Sequence, residues 1–219
     1  MFGVCRRGTA PRKDGIVMAK LYYQGHGSFR ITAQSGYTIY VDPYAGDGYD
    51  VPADLILVTH HHSDHDQVSL VAQKPETRVI TPREALQEKG YLRRVPVGEI
   101  LLSSVEAYND KHSRSECVGY VIEVDSVRVY AAGDTSLTQD MSRVLPWLHL
   151  DYALLPIDGI YNMNAAQAAA CAKTIGARHT IPIHMKPGHL FDPKIARTFD
   201  APGALIVPAG KTITLTPAT

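Results

Sequence analysis

The chain has 219 residues, 45% of them hydrophobic and 20% charged, enough for one globular domain with a sizeable core. Its 22 basic and 22 acidic residues leave no formal net charge, which argues against a binder of nucleic acid, where a basic excess is usual. Three scattered cysteines, Cys5, Cys117 and Cys171, with no C-x-x-C spacing, exclude a disulfide framework and a cysteine zinc site.

Residues 1–17, MFGVCRRGTAPRKDGIV, hold the one basic run and show no period. They read as a disordered leader or a misassigned start, with Met18 opening a single domain over 18–219. Strand patterns follow in KLYYQ, SFRITA, YTIYVD and DLILVT. SDHDQVSLVAQ reads as a helix with a cap-like Ser63, RVIT as a strand and REALQEKG as a helix. EILLSSVEAY is strand-like, and VGYVIEV with VRVYAAG forms a hairpin across Asp125-Ser126. LTQDMSRVLPWL is helical, YALLPI a strand, and NAAQAAACAKTIG a helix with Asn164 as N-cap and Gly176 as stop. HTIPIH, ALIVP and TITLTP complete the strands. The pattern is compatible with two sheets packed face to face and helices outside; periodicity alone leaves an ordinary α/β sheet open. No apolar run approaches the roughly 18 residues of a membrane span and no signal peptide is visible, so a cytoplasmic protein is expected.

The stretch LILVTHHHSDHD, residues 55–66, carries the chemistry. A buried-strand pattern delivers histidines at its C-terminal end, where α/β folds place their sites. In extended backbone His60 and His62 point to the same side and can grip one metal. Asp64 and His65, at the start of the expected helix, can point towards a second. His61 should face away. Imidazole suits zinc, iron or manganese, and a carboxylate adds a harder oxygen. Asp134 in VYAAGDT and His184 in IPIHMK each end a strand as well, although a turn aspartate and a structural histidine would look the same.

His60-x-His62-x-Asp64-His65 after an apolar strand resembles the signature of the metallo-β-lactamase superfamily. YYQGHGSFRIT followed by YTIYVDPY is similar to the family's opening, VYAAGDT to the segment with its bridging aspartate, and IPIHMK to the segment with its last ligand. The nearest resemblance is to small stand-alone metal-dependent hydrolases of the branch that includes ascorbate-6-phosphate lactonase. The resemblance implies a four-layer αββα sandwich, two mixed β-sheets with helices on the outer faces. It implies two divalent metals, zinc first, with manganese or iron as alternatives. His60 and His62 would hold one, Asp64, His65 and His184 the other, and Asp134 both. The family often has a histidine after an Ala-Tyr pair; here VEAYNDKHSR puts Asn109 there and His112 three residues on. His112 is taken as the displaced ligand, with a surface role as the alternative.

Around this set, Asp42 is expected to accept a hydrogen bond from a ligating histidine. His26 is placed near the site, Asp158 at the pocket wall, and Tyr161, Lys186 and His189 as substrate contacts. The implied activity is hydrolysis of an ester, lactone or phosphodiester of a small molecule by a metal-bridging hydroxide, with Asp64 as ligand and orienting group. The sequence offers no obvious donor to the leaving group: a metal would stabilise the leaving oxygen, or His112 or His189 would protonate it. Two other readings stand beside it: a non-catalytic binding or regulatory protein on the same fold, and a di-iron redox enzyme, whose motif carries Glu at the place of His62. No G-x-S-x-G elbow is present, so covalent catalysis fits poorly. Homo-oligomerisation is left open, and no nucleic acid or membrane partner is expected.

Overall fold

Two six-stranded sheets stack face to face in a computed structural model that describes residues 18–87 and 90–218. The expected leader over 1–17 lies outside the described residues. The first sheet runs, in spatial order, Lys211–Thr214, Lys20–Gly25, Ser28–Thr32, Thr38–Val41, Ala53–Leu57 and Gln73–Ile80. Its first three junctions are antiparallel and its last two parallel. The second runs His179–Ile183, Tyr152–Pro156, Val127–Ala131, Val118–Val124, Ile100–Glu106 and Val95–Val97. Here two parallel junctions precede three antiparallel ones. Both sheets are mixed, as expected.

Period-two alternation explains the layers. Leu21, Tyr23, Ile31, Ile39 and Leu55 face Leu102, Tyr120, Ile122, Val129 and Leu154 in one buried cluster between the sheets. The Tyr120 hydroxyl crosses this core and donates to the Val58 carbonyl at 2.9 Å, satisfying its polar end. The intervening residues of the second sheet, Val121, Tyr130, Ala153 and Leu155, pack outward against Met141, Leu145, Ala168 and Cys171. Those belong to the helix Gln139–Arg143, the 3-10 turn Leu145–Leu148 and the helix Ala165–Ile175. The last has the expected ends. Asn164 and Gln167 form a capping box, and Gly176 closes it at φ 70°. The outer face of the first sheet is covered more thinly, with Tyr40 and Ile56 packed against Tyr49, Val71 and Val68. No described helix is long and apolar enough to cross a membrane.

Three expected elements come out differently. SDHDQVSLVAQ is a turn and the 3-10 segment Val68–Leu70 rather than a helix. Its backbone donors go elsewhere: His65 N to the His62 carbonyl, Gln67 N to Pro43, and Ala72 N to Tyr49. REALQEKG keeps only Pro82–Ala85 as helix, behind a Thr81/Glu84 capping box, and Leu86–Gln87 then pairs with Gly90–Tyr91. ALIVP is not a strand; Ala204 forms a single bridge with Thr180. The hairpin across Asp125-Ser126 forms as expected, both residues having positive φ.

Candidate metal centre

Strand ends build this site. His26, Asp42, His60, Asp134, Asp158 and His184 each follow the C-terminal end of a strand, and Asn109 and His112 follow Ile100–Glu106. His26, Asp42 and His184 are the first residues beyond their strands and have φ of 56°, 47° and 46°. Non-glycine residues in this left-handed region carry strain, and such strain concentrates at functional sites. Tertiary bonds hold it in place: the His26 carbonyl accepts from His184 N at 2.8 Å and from the Tyr23 hydroxyl at 2.7 Å. Two glycines admit the close packing. A Cβ on Gly27 would lie 2.7 Å from the His65 ring, and one on Gly133 the same distance from Thr59 Cβ.

The histidines share one pattern. His65 Nδ1 lies 2.9 Å from Asp42 Oδ2, His112 Nδ1 2.9 Å from Asn109 Oδ1, and His26 Nδ1 3.2 Å from the His189 carbonyl. His184 Nδ1 lies 3.1 Å from Asp158 Oδ2. His60 Nδ1 lies 3.0 Å from Thr59 Oγ1, whose own proton goes to Asp42 Oδ2 at 2.7 Å. In His26, His60, His65 and His112 the Nδ1 faces a hydrogen-bonding oxygen, whereas His184 Nδ1 is in charge contact with Asp158 without hydrogen-bond alignment; in all five this leaves Nε2 as the inward atom. His62 differs by presenting Nδ1, 3.1 Å from His60 Nε2.

Inward atoms converge in three groups whose members lie within 4.8 Å of one another: His60, His62 and His112; His26, Asp64, His65 and His184; and His60, His65 and Asp134. Asp134 joins the others. Its Oδ1 is 3.3 Å from His65 Nε2, and its Oδ2 is 3.3 Å from His112 Nε2 and 3.5 Å from His184 Nε2. These are charge contacts without hydrogen-bond alignment. His65 Nε2, both His184 ring nitrogens and Asp134 Oδ1 are buried with no hydrogen-bond partner, and of these the two Nε2 atoms and Asp134 Oδ1 face inward. Unpaired polar atoms at that depth are costly, and three aimed into one space fit a metal ion as the missing partner. The donor set, imidazoles and carboxylates without thiolate, suits zinc, manganese or iron.

Electrostatics agree with this packing. Burial alone would raise the Asp134 pKa, but the His65 and His184 charges hold it well below the usual carboxylate range. Burial alone would lower the His184 pKa; the Asp134 carboxylate, with bonds to Asp158 and Asp64, pushes it up to about 10. His60, desolvated and beside His65, is lowered and stays neutral. The metal-free fold thus gains stability from a His184 proton that an unfolded histidine loses near 6.5. This contribution is complete below pH 6.5 and is lost as pH rises through about 10. Chelator-treated protein is expected to show a falling urea midpoint between pH 6.5 and about 9, below ordinary tyrosine titration. A midpoint that climbs across this interval contradicts the assignment.

The other expected residues fall as follows. His61 faces solvent with 60% side-chain exposure, 3.4 Å from Asp66. Asp42 is buried and also accepts from Thr59 N at 2.7 Å. Asn109 accepts from His112 and donates to the Tyr161 carbonyl and to Asn162 Oδ1. Asp158 is not among the residues lining the cavities beside His60, His62 and Asp64. Its buried carboxylate turns inward to His184 and accepts from the backbone of Ile160 and Tyr161. His189 is exposed and brings its carbonyl to His26 Nδ1 at the site. His112, with Nδ1 on Asn109, turns Nε2 inward. Lys186 is exposed, and Tyr161 borders a cavity of about 600 Å³ with His62, Asp64 and Lys111.

Sequence reasoning missed Thr59 and Asn162. Thr59 links His60 to Asp42, and its place directly before the first histidine was the available signal. Asn162 Nδ2 donates to Asp158 Oδ2 at 2.8 Å and closes a chain His112–Asn109–Asn162–Asp158–His184. Only the fold brings those members together.

Residues 20–184 match the family described as a Beta-lactamase superfamily domain. A UPF0173 metal-dependent hydrolase of Methanoregula boonei is 33% identical over 181 residues, covering 75% of this chain and 81% of that protein. Another, from Methanosphaerula palustris, is 30% identical over 219 residues, covering 89% and 99%. Igni18, a metallo hydrolase from the archaeon Ignicoccus hospitalis, superposes with a TM-score of 0.69 at 23% identity, covering 91% and 99%. With the family match spanning most of its length, and a mixed double sheet carrying the histidines and aspartates at its strand ends, the chain belongs to the metallo-β-lactamase superfamily, among its metal-dependent hydrolases.

Proposed function

We propose that the protein hydrolyses an ester, lactone or phosphodiester bond of a small molecule with two divalent metals, zinc fitting best. The supporting observation is that Nε2 of His65, His112 and His184 each lie within 3.5 Å of Asp134 while oxygen partners behind the rings hold Nδ1 of His26, His60, His65 and His112. His60, His62 and His112 would hold one ion, Asp64, His65 and His184 the other, and Asp134 would contact both. When bound, such a pair supplies Lewis acidity and a water of lowered pKa.

The chain's own groups do the rest. Asp64 Oδ2 is 3.1 Å from His26 and 3.6 Å from His184, and its side chain is 31% exposed at the cavity. In this reading it orients an attacking water and accepts its proton. His184 and His26 keep that carboxylate ionised against its burial. Asp42 and Asn109 fix His65 and His112 in the tautomer that points Nε2 inward. Asn109, the departure from the family pattern, thus supports the catalytic reading, since it orients the displaced histidine. Cys117 lines the cavity beside His60 and His112, but burial pushes its thiol up to about 12, so it is no nucleophile at neutral pH.

The test is turnover of lactones, phosphodiesters and thioesters by metal-loaded protein, with Asp64→Ala alongside. One class should be hydrolysed, and the variant should lose on the order of 10²–10³-fold. Equal turnover by the variant removes Asp64 from the reaction; no turnover of any class by the metal-loaded wild type contradicts the proposal.

A further inference from the structure

His26 occupies a position that the family motif does not cover, and its surroundings are those of a ligand. Its side chain is fully buried. A neutral imidazole has one N–H, and the His189 carbonyl, 3.2 Å from Nδ1, takes it. The Nε2 atom then faces Asp64 Oδ2 at 3.1 Å. Two such atoms at that separation need a positive charge between them, a shared proton in the metal-free protein or a metal ion when one is bound. The same space holds His65 and His184, whose Nε2 atoms lie within 4.8 Å of His26 and Asp64 and have no hydrogen-bond partner. The His26 and His184 rings are 3.7 Å apart between centroids.

The two halves of the centre also differ in access. A cavity of about 530 Å³ is lined by His60, His62 and His112, and a second of about 600 Å³ by His62, His112 and Asp64. Neither is lined by His26, His65 or His184. Resting on the two-metal reading above, we propose that His26 is a direct ligand of the inner metal through Nε2. The inner half then has four protein donors of its own besides Asp134, and is the more tightly held site, reached from the cavity only past Asp64. The outer half, His60, His62 and His112, is the one that exchanges metal and meets substrate. A site with an open position is the catalytic type, whereas a fully protein-ligated one is the structural type.

Cobalt-loaded protein and its His26→Asn variant test this. Asparagine tolerates the left-handed backbone at position 26 but is too short to reach the metal. Wild type should keep one cobalt equivalent at a chelator concentration that removes the other. The variant should hold that resistant equivalent more than about 100-fold more weakly, beyond the 10–100-fold typical of a residue that only orients a ligand. Its proton NMR spectrum should lose one exchangeable hyperfine-shifted N–H, that of His26 Nδ1. An unchanged set of these resonances overturns the ligand role. Should the variant fail to fold, a structure of the cobalt-loaded wild type decides: metal within about 2.0–2.3 Å of His26 Nε2 supports it, and metal beyond hydrogen-bond distance overturns it. Wild type that binds no cobalt sinks the two-metal reading as well, which separates the two failures.

Discussion

Replacing Asp134 with alanine is expected to abolish metal binding in both halves of the centre and to reduce hydrolysis by at least about 10³-fold. Among the described residues Asp134 is the one carboxylate in charge contact with histidines of both halves, His112 on one side and His65 and His184 on the other. It is buried at the end of its strand, directly after Gly133. The metal-free fold should suffer as well, because the charges on His65 and His184 lose their partner. Metal content by elemental analysis and circular dichroism on the same samples separate these effects. Full metal content in a folded Asp134→Ala protein contradicts its place at the junction.

The second large effect is expected at Asp42, which touches no inward-facing atom. Its two oxygens accept from Thr59 N, Thr59 Oγ1 and His65 Nδ1, all in the buried region behind the histidines. Alanine there strands three donors, each costing about 1–3 kcal/mol when unpaired. A net loss of roughly 3–5 kcal/mol is expected, as for other broken buried networks, or about 10 °C in Tm for a chain of this size. His65 and His60 also lose the acceptors that set their tautomers, one directly and one through Thr59, so metal affinity should fall by about 10–100-fold. Asp42→Asn suits the left-handed backbone and should recover much of the stability while metal binding stays weak. Thermal unfolding with and without metal reads both; an alanine variant as stable as wild type contradicts the network.

How much of this was legible beforehand depends on whether the information is local. His60 and His62 could be placed because spacing of two in extended backbone is a local fact, and the structure brings their ring nitrogens to 3.1 Å. The hairpin at Asp125-Ser126 and the caps of the helix over 165–175 are local as well. The expected helix after Ser63 failed because Pro43 and Tyr49 accept its backbone donors, and no window of sequence contains both sides of that exchange. The anchors are distant too. Asp42 meets His65 across 23 positions, and His26 meets the His189 carbonyl across 163. Positive φ at His26, Asp42 and His184 was equally invisible, since glycine is the usual sign of that backbone and none of the three is glycine. Asn109 could be read only as an exception until the fold placed its Oδ1 on His112.

The converging donor atoms form a metal centre and not a cluster of structural histidines if they hold metal in the crystal. Anomalous diffraction from crystals of protein purified without chelator, collected at the zinc, iron and manganese edges, tests this most directly. It should show two peaks within one chain, one among His60, His62 and His112 and the other among Asp64, His65 and His184, with Asp134 touching both. A site without an anomalous peak after soaking in each metal, with the histidine rings unmoved, would contradict it.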